Sequence, residues 1–391
     1  MIAGFPNMID PDEILMIPGP TTLSSRVRAA MALPQQSHVA PEFYGAFKES
    51  LDLSRSLFKN SSGYQFLITG SGTIGMEATA TSLLEPGDRV LSIETGYFGH
   101  RFTQLAEIHG ASVEAIVTPL GERVNHDLLD EKLSKGNFKA LFFTHVDTST
   151  SVMNDVVSLT QIAQKHGVLS VCDSVCGVGG AKIDFDETGT DVVLTGSQKA
   201  IAAPPGATLI AVSKRAFESM EKRKTPIASY YMDLVRWRPV MDDPKIYLTT
   251  PAVQVMLGVH EALLEIKEEG IEKRWKRHSI NAEAFRAGIS ALGLKIVPDE
   301  QSVAPTVTTF YVPTGANAGE VQENLRQIFG IHIARGFGDY RDTMLRVGHF
   351  GNVSSKDILA LLGALEMVLT KKSPANIGKA VEKAMPILSR Y

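Results

Sequence analysis

Phe66-Leu67-Ile68-Thr69-Gly70-Ser71-Gly72-Thr73 is an apolar run that stops at a glycine-rich turn and passes into a helical pattern. Small residues at such a turn let backbone N–H groups and a helix N-terminus face an anion, usually a phosphate. The stretch lacks the lysine of a P-loop. Gly70, Gly72 and Gly75 resemble G-x-G-x-x-G, and Glu94 follows at the distance expected of a ribose-binding acid. Taken alone, the turn points to a dinucleotide site and equally well to a plain tight turn with close helix–strand packing.

The same strand–turn–helix rhythm repeats outward from it. Apolar, β-branched runs at 65–69, 89–93, 112–117, 140–144, 168–172, 192–195 and 208–212 predict strands, several apolar throughout, as central parallel strands are. Helical patterns at 74–84, 100–109, 126–135 and 157–165 lie between them, which predicts a doubly wound α/β domain. Pro251 opens a long helical stretch to about 292, interrupted only by Gly258, Gly270 and Gly288. Beyond it, strands at 306–312 and 344–347 and helices at 318–329 and 356–368 give an α+β pattern, and 377–391 reads as a tail helix. A chain of 391 residues exceeds what one core supports. The division expected is an N-terminal arm (1–20), a large domain (21–269) and a small C-terminal domain (270–391).

Composition narrows the function classes. Hydrophobic residues make up 44% and charged residues 21%, which describes an ordinary globular protein. A net charge of −4 with no basic run gives no reason to expect nucleic acid or a membrane surface. No signal peptide is apparent and the longest apolar runs, such as 358–365, are too short to span a bilayer, so a cytoplasmic location is expected. Cys172 and Cys176 are too few for a disulfide framework or a thiolate metal site and read as small buried residues. The ten histidines are scattered without H-E-x-x-H or a comparable pairing, so no metal is expected, and His38 and His145 read as hydrogen-bonded structural histidines.

Two further features could carry chemistry. Leu194-Thr195-Gly196-Ser197-Gln198-Lys199, followed by Ala203-Pro204-Pro205-Gly206, sets a lysine just past an apolar strand, where α/β domains place ligands. Such a lysine is either a solvated charge or, if it faces a cleft, an amine able to form a Schiff base and shuttle protons. Asp173 follows the strand at 168–172 and is either a helix cap or a carboxylate facing a ligand.

The three features in this order resemble the class V aminotransferases of pyridoxal-phosphate (PLP) fold type I, and most of all the alanine–glyoxylate, serine–pyruvate and serine–glyoxylate branch. The resemblance runs from Ile17-Pro18-Gly19-Pro20-Thr21 into the C-terminal domain, and its sharpest motifs are G-S-Q-K with A-P-P-G at 196–206, D-S-V at 173–175 and G-S-G at 70–72. It implies a large, mostly parallel sheet domain binding PLP and a smaller α+β domain. It implies that Lys199 binds PLP covalently and moves a proton, and that Asp173 pairs with the ring nitrogen. Val175 and Phe98 would cover the two ring faces; Ser71, Gly72, Thr73 and Gln198 would hold the phosphate. Ser149, in Thr144-His145-Val146-Asp147-Thr148-Ser149-Thr150, would lie near the ring hydroxyl and the substrate carboxylate, and Arg346 would clamp that carboxylate. Tyr247 and Thr250 resemble residues that reach the phosphate of the other subunit, which implies a homodimer. The loop departs from its relatives at Val146 and Ser151, where glycine is frequent.

A dehydrogenase would use the Gly70-Gly72-Gly75 turn and Glu94 but leave Asp173, Gln198-Lys199 and Arg346 without a common purpose. A desulfurase or lyase of the same class would carry histidine before the lysine, where Gln198 stands. An aminotransferase moving an amino group from alanine, serine or glycine to glyoxylate or pyruvate in two half-reactions uses all of these residues, and the sequence does not choose among those donors.

Overall fold

Apolar runs of five or six residues, each closed by a polar turn, assemble in the computed structural model into one central sheet. The structure describes residues 13–369 and 377–391; the first twelve residues of the expected arm lie outside the described residues. The chain enters through β1 (Ile14–Leu15), α1 (Ser25–Met31) and α2 (Pro41–Phe58). Strand and helix then alternate: β2 (Tyr64–Thr69), α3 (Gly72–Leu83), β3 (Arg89–Glu94), α4 (Tyr97–Ile108), β4 (Ser112–Val117), α5 (His126–Lys135) and β5 (Ala140–Thr144). The alternation continues through α6 (Val156–Lys165), β6 (Leu169–Asp173), α7 (Phe185–Thr188), β7 (Val192–Gly196) and β8 (Ala207–Val212).

These strands lie in the order β2-β8-β7-β6-β5-β3-β4. Every residue of β5, β6, β7 and β8 is buried, because helices cover both faces, whereas the edge strand β4 turns Ser112 and Val117 outward. Neighbouring pairs from β7 to β4 are parallel, but β8 runs antiparallel to both β7 and β2. The sheet is thus mostly parallel, as expected, with 208–212 the strand that reverses direction. The link between β7 and β8 contains no helix, and a parallel return needs a long crossover. The chain therefore turns straight back, and the turn it makes, 197–206, is the one that carries Lys199.

After the sheet come α8 (Lys214–Glu221), α9 (Leu234–Asp242), α10 (Val253–Glu269) and α11 (Ile271–Ala291). The long helical stretch expected from Pro251 is thus two helices, broken at Gly270, whose φ of +82° suits glycine and ends α10. Gly258 and Gly288 stay helical because they serve packing: a Cβ at Gly288 would lie 2.5 Å from Leu362 Cδ2. The C-terminal part continues with β9 (Val307–Tyr311), α12 (Ala318–Phe329), β10 (Ile331–His332), β11 (Ala334–Arg335), β12 (Met344–Gly348), α13 (Ser355–Leu369) and α14 (Lys379–Leu388). Strands β11, β12 and β9 form a small antiparallel sheet.

Two large apolar clusters result. One gathers buried residues from Val27 to Ile266 around the central sheet. The other gathers residues from Ile280 to Leu388 and takes in Met16, because β1 pairs in parallel with β10. A small third cluster draws Val146, Cys176 and Ala200, the residue after Lys199, together with Val307 and Phe350 from the C-terminal part. No described helix is long and apolar enough to cross a membrane.

Candidate active site

The parallel strands end together, so the loops leaving β5, β6 and β7 meet beyond their carboxyl ends, where open α/β sheets bind ligands. Asp173 is the last residue of β6 and pairs in register with Thr144 of β5 and Leu194 of β7. The N-terminus of α3 points into the same space. Its first amides, Gly72 and Thr73, meet no acceptor among the described residues, and Ser71 precedes them without a side-chain capping bond. A Cβ at Gly72 would lie 2.7 Å from Val175 Cγ2, so only a glycine lets this turn approach the loop after β6.

Lys199 reaches into the cleft rather than into solvent. Its ammonium group donates to the carbonyl of Pro18, and its stem lies against Gly19, where a Cβ would be 2.5 Å from Lys199 Cδ. Thr21 holds the backbone of this loop, donating from N to the Gln198 carbonyl (3.0 Å) and from Oγ1 to the Lys199 carbonyl (2.9 Å). Part of the side chain still meets solvent, but the amine itself is closely enclosed. Desolvation lowers its pKa, which favours the neutral, nucleophilic form.

Asp173 has the opposite problem. It is 5% exposed and takes one hydrogen bond, from Val175 N at 2.9 Å to Oδ1. Desolvation, joined by the nearby charge of Asp147, pushes its carboxyl up to about 7, against the pull of Lys199. A buried carboxyl with so few donors is suited to a cationic N–H partner. Gln198 adds a buried amide oxygen without a partner, and its amide can turn either end toward a ligand.

The second half of the site comes from β12. Arg346 is 8% exposed; its Nε donates to the Arg335 carbonyl (2.7 Å) and its Nη1 to the Thr148 carbonyl (3.1 Å). No carboxylate pairs with it among the described residues. Desolvation lowers its pKa to about 10, with Asp147 opposing that shift. A guanidinium held by two carbonyls and short of an anion is a carboxylate site in waiting. Its Cζ lies 4.2 Å from the ring centre of Phe337, which also stacks on Tyr97 at 4.6 Å with 4° between the planes. Phe98 meets the edge of the same group, 5.8 Å from Phe337. A cavity of about 220 Å³ opens here, lined by Tyr97, Leu120, Ser149, Phe337, Tyr340 and Met344.

The fold thus sets Gly72 against Val175 and brings the Gln198 amide and the Gly72 backbone together at Gly196, while the charges of Lys199, Asp173 and Arg346 act on one another and Phe98 and Ser149 join them through Asp147. It does not bring Tyr247 or Thr250 there within one chain. Tyr247 is 65% exposed, bonded to Thr250 Oγ1 (3.2 Å) and close to His38. Glu94 is removed from the nucleotide reading: its carboxylate accepts from Thr103 Oγ1 (2.6 Å) and meets His100 Nδ1 (3.1 Å), so it is occupied inside the fold. Both cysteines are buried, and burial pushes the thiol pKa of each up, which disfavours the thiolate a desulfurase needs. Among the described residues no group of three or more metal-ligating side chains forms.

Sequence reading missed two neighbours, Asp147 and Phe337. Asp147 could have been noticed as the one acid in the stretch 144–151, where every other residue but His145 and Val146 bears a hydroxyl. Phe337, in Gly336-Phe337-Gly338, gave no signal, because its role depends on Tyr97 and Arg346 meeting it from distant elements.

An enclosed amine, a buried carboxyl short of a cation, an unpaired helix N-terminus and an orphaned amide together fit the aldehyde, ring nitrogen and phosphate of PLP. The comparisons with known proteins agree. The chain matches the family model for class-V aminotransferases over residues 23–339. It is 34% identical over 360 residues to alanine–glyoxylate aminotransferase 1 of Saccharomyces cerevisiae, covering 87% of this chain and 92% of that protein. It is 30% identical over 377 residues to L-aspartate–glyoxylate aminotransferase of Paracoccus denitrificans, covering 95% and 94%. In structure it is similar to ureidoglycine–glyoxylate aminotransferase of Bacillus subtilis, with a TM-score of 0.93 at 29% identity, covering 98% of this chain and all of that one.

Proposed function

This chain belongs to the class-V aminotransferase family and is a PLP-dependent aminotransferase, and within that frame we propose which residues do the work and on what. The reaction moves an amino group from a small amino acid to a small 2-oxo acid. Glyoxylate is the proposed acceptor, since the yeast, Paracoccus and Bacillus relatives share it in their names while their donors differ. The observation that carries the residue assignments is the enclosed, pKa-lowered amine of Lys199 one strand away from the under-solvated carboxyl of Asp173.

When bound, PLP supplies an aldehyde that condenses with amines and a protonated ring that draws the electron pair released at a substrate Cα. Lys199 is the residue that holds it covalently. Freed from that bond, the Lys199 Nζ would be a neutral base able to take the proton from the substrate Cα and to give it to the former aldehyde carbon of the cofactor. Asp173 holds the proton on the ring nitrogen. Val175 and Phe98 flank the ring, and the Gly72 and Thr73 amides with Ser71 and Gln198 hold the phosphate. Ser149 and Arg346 receive the substrate carboxylate, the latter through two parallel charge-assisted bonds.

Tyr247 and Thr250 are proposed to complete the site of a second copy in a homodimer. Their exposure, beside exposed Val39 and Ile246, supports this. The arm 1–20 with domains 21–269 and 270–391 is proposed on the strength of the two apolar clusters, and a cytoplasmic location on the sequence grounds above. The assignment of Lys199 is tested by reducing the loaded protein with borohydride and mapping its peptides: the cofactor mass should sit on Lys199. A label on another lysine would overturn the assignment. A screen of alanine, serine, glycine and aspartate against glyoxylate and pyruvate identifies the substrates.

A further inference from the structure

Asp147 stands in the loop between β5 and α6 and is fully buried, yet no lysine or arginine pairs with it at ion-pair distance among the described residues. Its two oxygens are divided between two partners. Oδ2 accepts from the amides of Phe98 and Gly99, each at 3.0 Å, in the first turn of α4. Oδ1 accepts from Ser149 N at 2.9 Å and Ser149 Oγ at 2.5 Å. Ser149 Oγ in turn accepts from Tyr97 N at 2.9 Å. The α4 N-terminus has no capping side chain of its own, since Gly96 occupies that position, and a Cβ there would collide with Ser149 Oγ and lie 2.7 Å from Asp147 Oδ1. The carboxylate of Asp147 is therefore the cap of α4, supplied from another strand end, and the positive end of the helix favours its charge.

The same short loop reaches the other half of the site. The carbonyl of Thr148, next in sequence, accepts from Arg346 Nη1. Phe98 and Tyr97 form the aromatic group against which Phe337 and Arg346 stack. One buried carboxylate thus ties together the ring-covering aromatic, the serine and the support of the arginine, which arrive on three elements from two parts of the chain.

We propose that Asp147 is the positioning residue of this active site: it fixes α4 and Ser149 relative to Arg346, and so sets the geometry in which a substrate carboxylate is received. Both of its oxygens are taken by protein donors, so it acts through α4 and Ser149 rather than by contact with a substrate. The inference rests on the reading of Arg346 as the carboxylate clamp.

An amide cannot replace this carboxylate. The side chain introduced by Asp147→Asn would present one oxygen and one NH2 group, and the NH2 would face either the two amides of α4 or the N–H and hydroxyl of Ser149. One side must be released, whichever way the amide turns. Glutamate keeps two acceptor oxygens and the charge, with a longer stem. The test is to compare wild type, Asp147→Asn, Asp147→Glu and Arg346→Ala as PLP-loaded proteins, measuring cofactor content, melting temperature, kcat and the KM of each substrate.

Asp147→Asn is expected to bind PLP, to raise KM for amino donor and oxo-acid acceptor alike by about tenfold or more, one lost charge-assisted bond being worth at least that, and to lower kcat less. Asp147→Glu should recover most of the KM. If Asp147→Asn lowers the melting temperature or cofactor content while its KM values stay at wild type, Asp147 is a structural cap and the proposal falls. If Asp147→Asn does not load PLP at all, the proposal also falls, because the carboxylate then governs cofactor binding. Failure of the underlying reading is distinct: Arg346→Ala would then leave KM unchanged.

Discussion

Replacing Arg346 by alanine removes a guanidinium whose only partners among the described residues are two backbone carbonyls and the face of Phe337. Little of the fold depends on it, while a substrate carboxylate would lose its main partner. Truncating one side of such a desolvated pair costs on the order of 2–5 kcal/mol. Arg346→Ala should therefore raise KM for amino and oxo acids about 30-fold or more and leave the absorbance of the bound cofactor nearly unchanged. Arg346→Lys should recover part of the loss, because a point charge cannot make the two parallel bonds. Loss of PLP with unaltered KM would make the arginine structural. Asp173 behaves differently. Asp173→Asn keeps shape and hydrogen-bonding reach but can no longer hold a proton on the ring nitrogen, so turnover should fall at least roughly 10²-fold in a protein that still folds and binds PLP. Turnover near wild type would contradict the pairing.

At the scale of elements, the site depends on joints more than on strands. The joint between α10 and α11 lies at Gly270, and it is clasped by Glu269. Its carboxylate meets Arg274 Nη1 and Arg277 Nε, each at 2.6 Å. Arg274 is 3% exposed and passes a further bond from Nη2 to the Ala200 carbonyl (2.7 Å), the residue after Lys199. Arg277 reaches the Gly351 carbonyl at 2.9 Å. The clasp therefore connects the lysine loop to the C-terminal part of the chain. Removing Glu269 leaves the buried Arg274 charge without its carboxylate, and because Glu269 is itself a quarter exposed the cost should fall toward or below the lower end of about 3–5 kcal/mol. Glu269→Ala should lower the midpoint of chemical denaturation by a corresponding amount. Breaking an exposed ion pair, such as Arg326 with Glu323, should cost less than about 1 kcal/mol. Equal effects from Glu269→Ala and Glu323→Ala would show that the joint carries no special load.

For the whole molecule, the buried titratable groups give opposite pH slopes. In the cofactor-free protein the Asp173 carboxyl keeps its proton up to about 7, while in the unfolded chain it releases it near 4. The folded chain binds more protons in that window, so stability falls as pH rises through it, by up to about 4 kcal/mol. His145 is pushed down to about 4 by desolvation, with Arg123 adding to it, and His278 and His349 are lowered in the same direction by burial. These histidines stay neutral in the fold, and their contribution is complete above about 6.5 and lost as pH falls below it. Asp173→Asn should abolish the first slope and keep the second. Denaturation of both proteins without cofactor at pH 5 and pH 8 measures this: the variant should gain on the wild type as pH rises. A constant difference would mean that Asp173 ionises normally. The dimer is the other prediction at this scale. The protein should sediment as a dimer, and Tyr247→Phe should weaken PLP binding about tenfold without unfolding the chain. An active monomer would refute it.

Periodicity carried the sequence a long way. The apolar runs from 65 to 212 became strands β2 to β8 within a residue or so at each end, because strands covered on both faces are predominantly apolar. The motifs around Gly72, Asp173 and Lys199 pointed to one chemistry because each sits in the loops past the strand ends, where open α/β sheets place ligands. The direction of β8 was not legible, since an apolar strand reads alike in both directions and only its helix-free link to β7 decides. Nor was the break at Gly270, as Gly258 and Gly288 look the same in sequence and stay helical through their close packing. The roles of Asp147, Phe337 and the clasp at Glu269 were not legible for one physical reason. Their roles lie in contacts between residues far apart in the chain, such as Asp147 with Gly99, Phe337 with Tyr97 and Arg274 with Ala200. No local pattern records which distant groups a buried charge or ring will meet once the strands align.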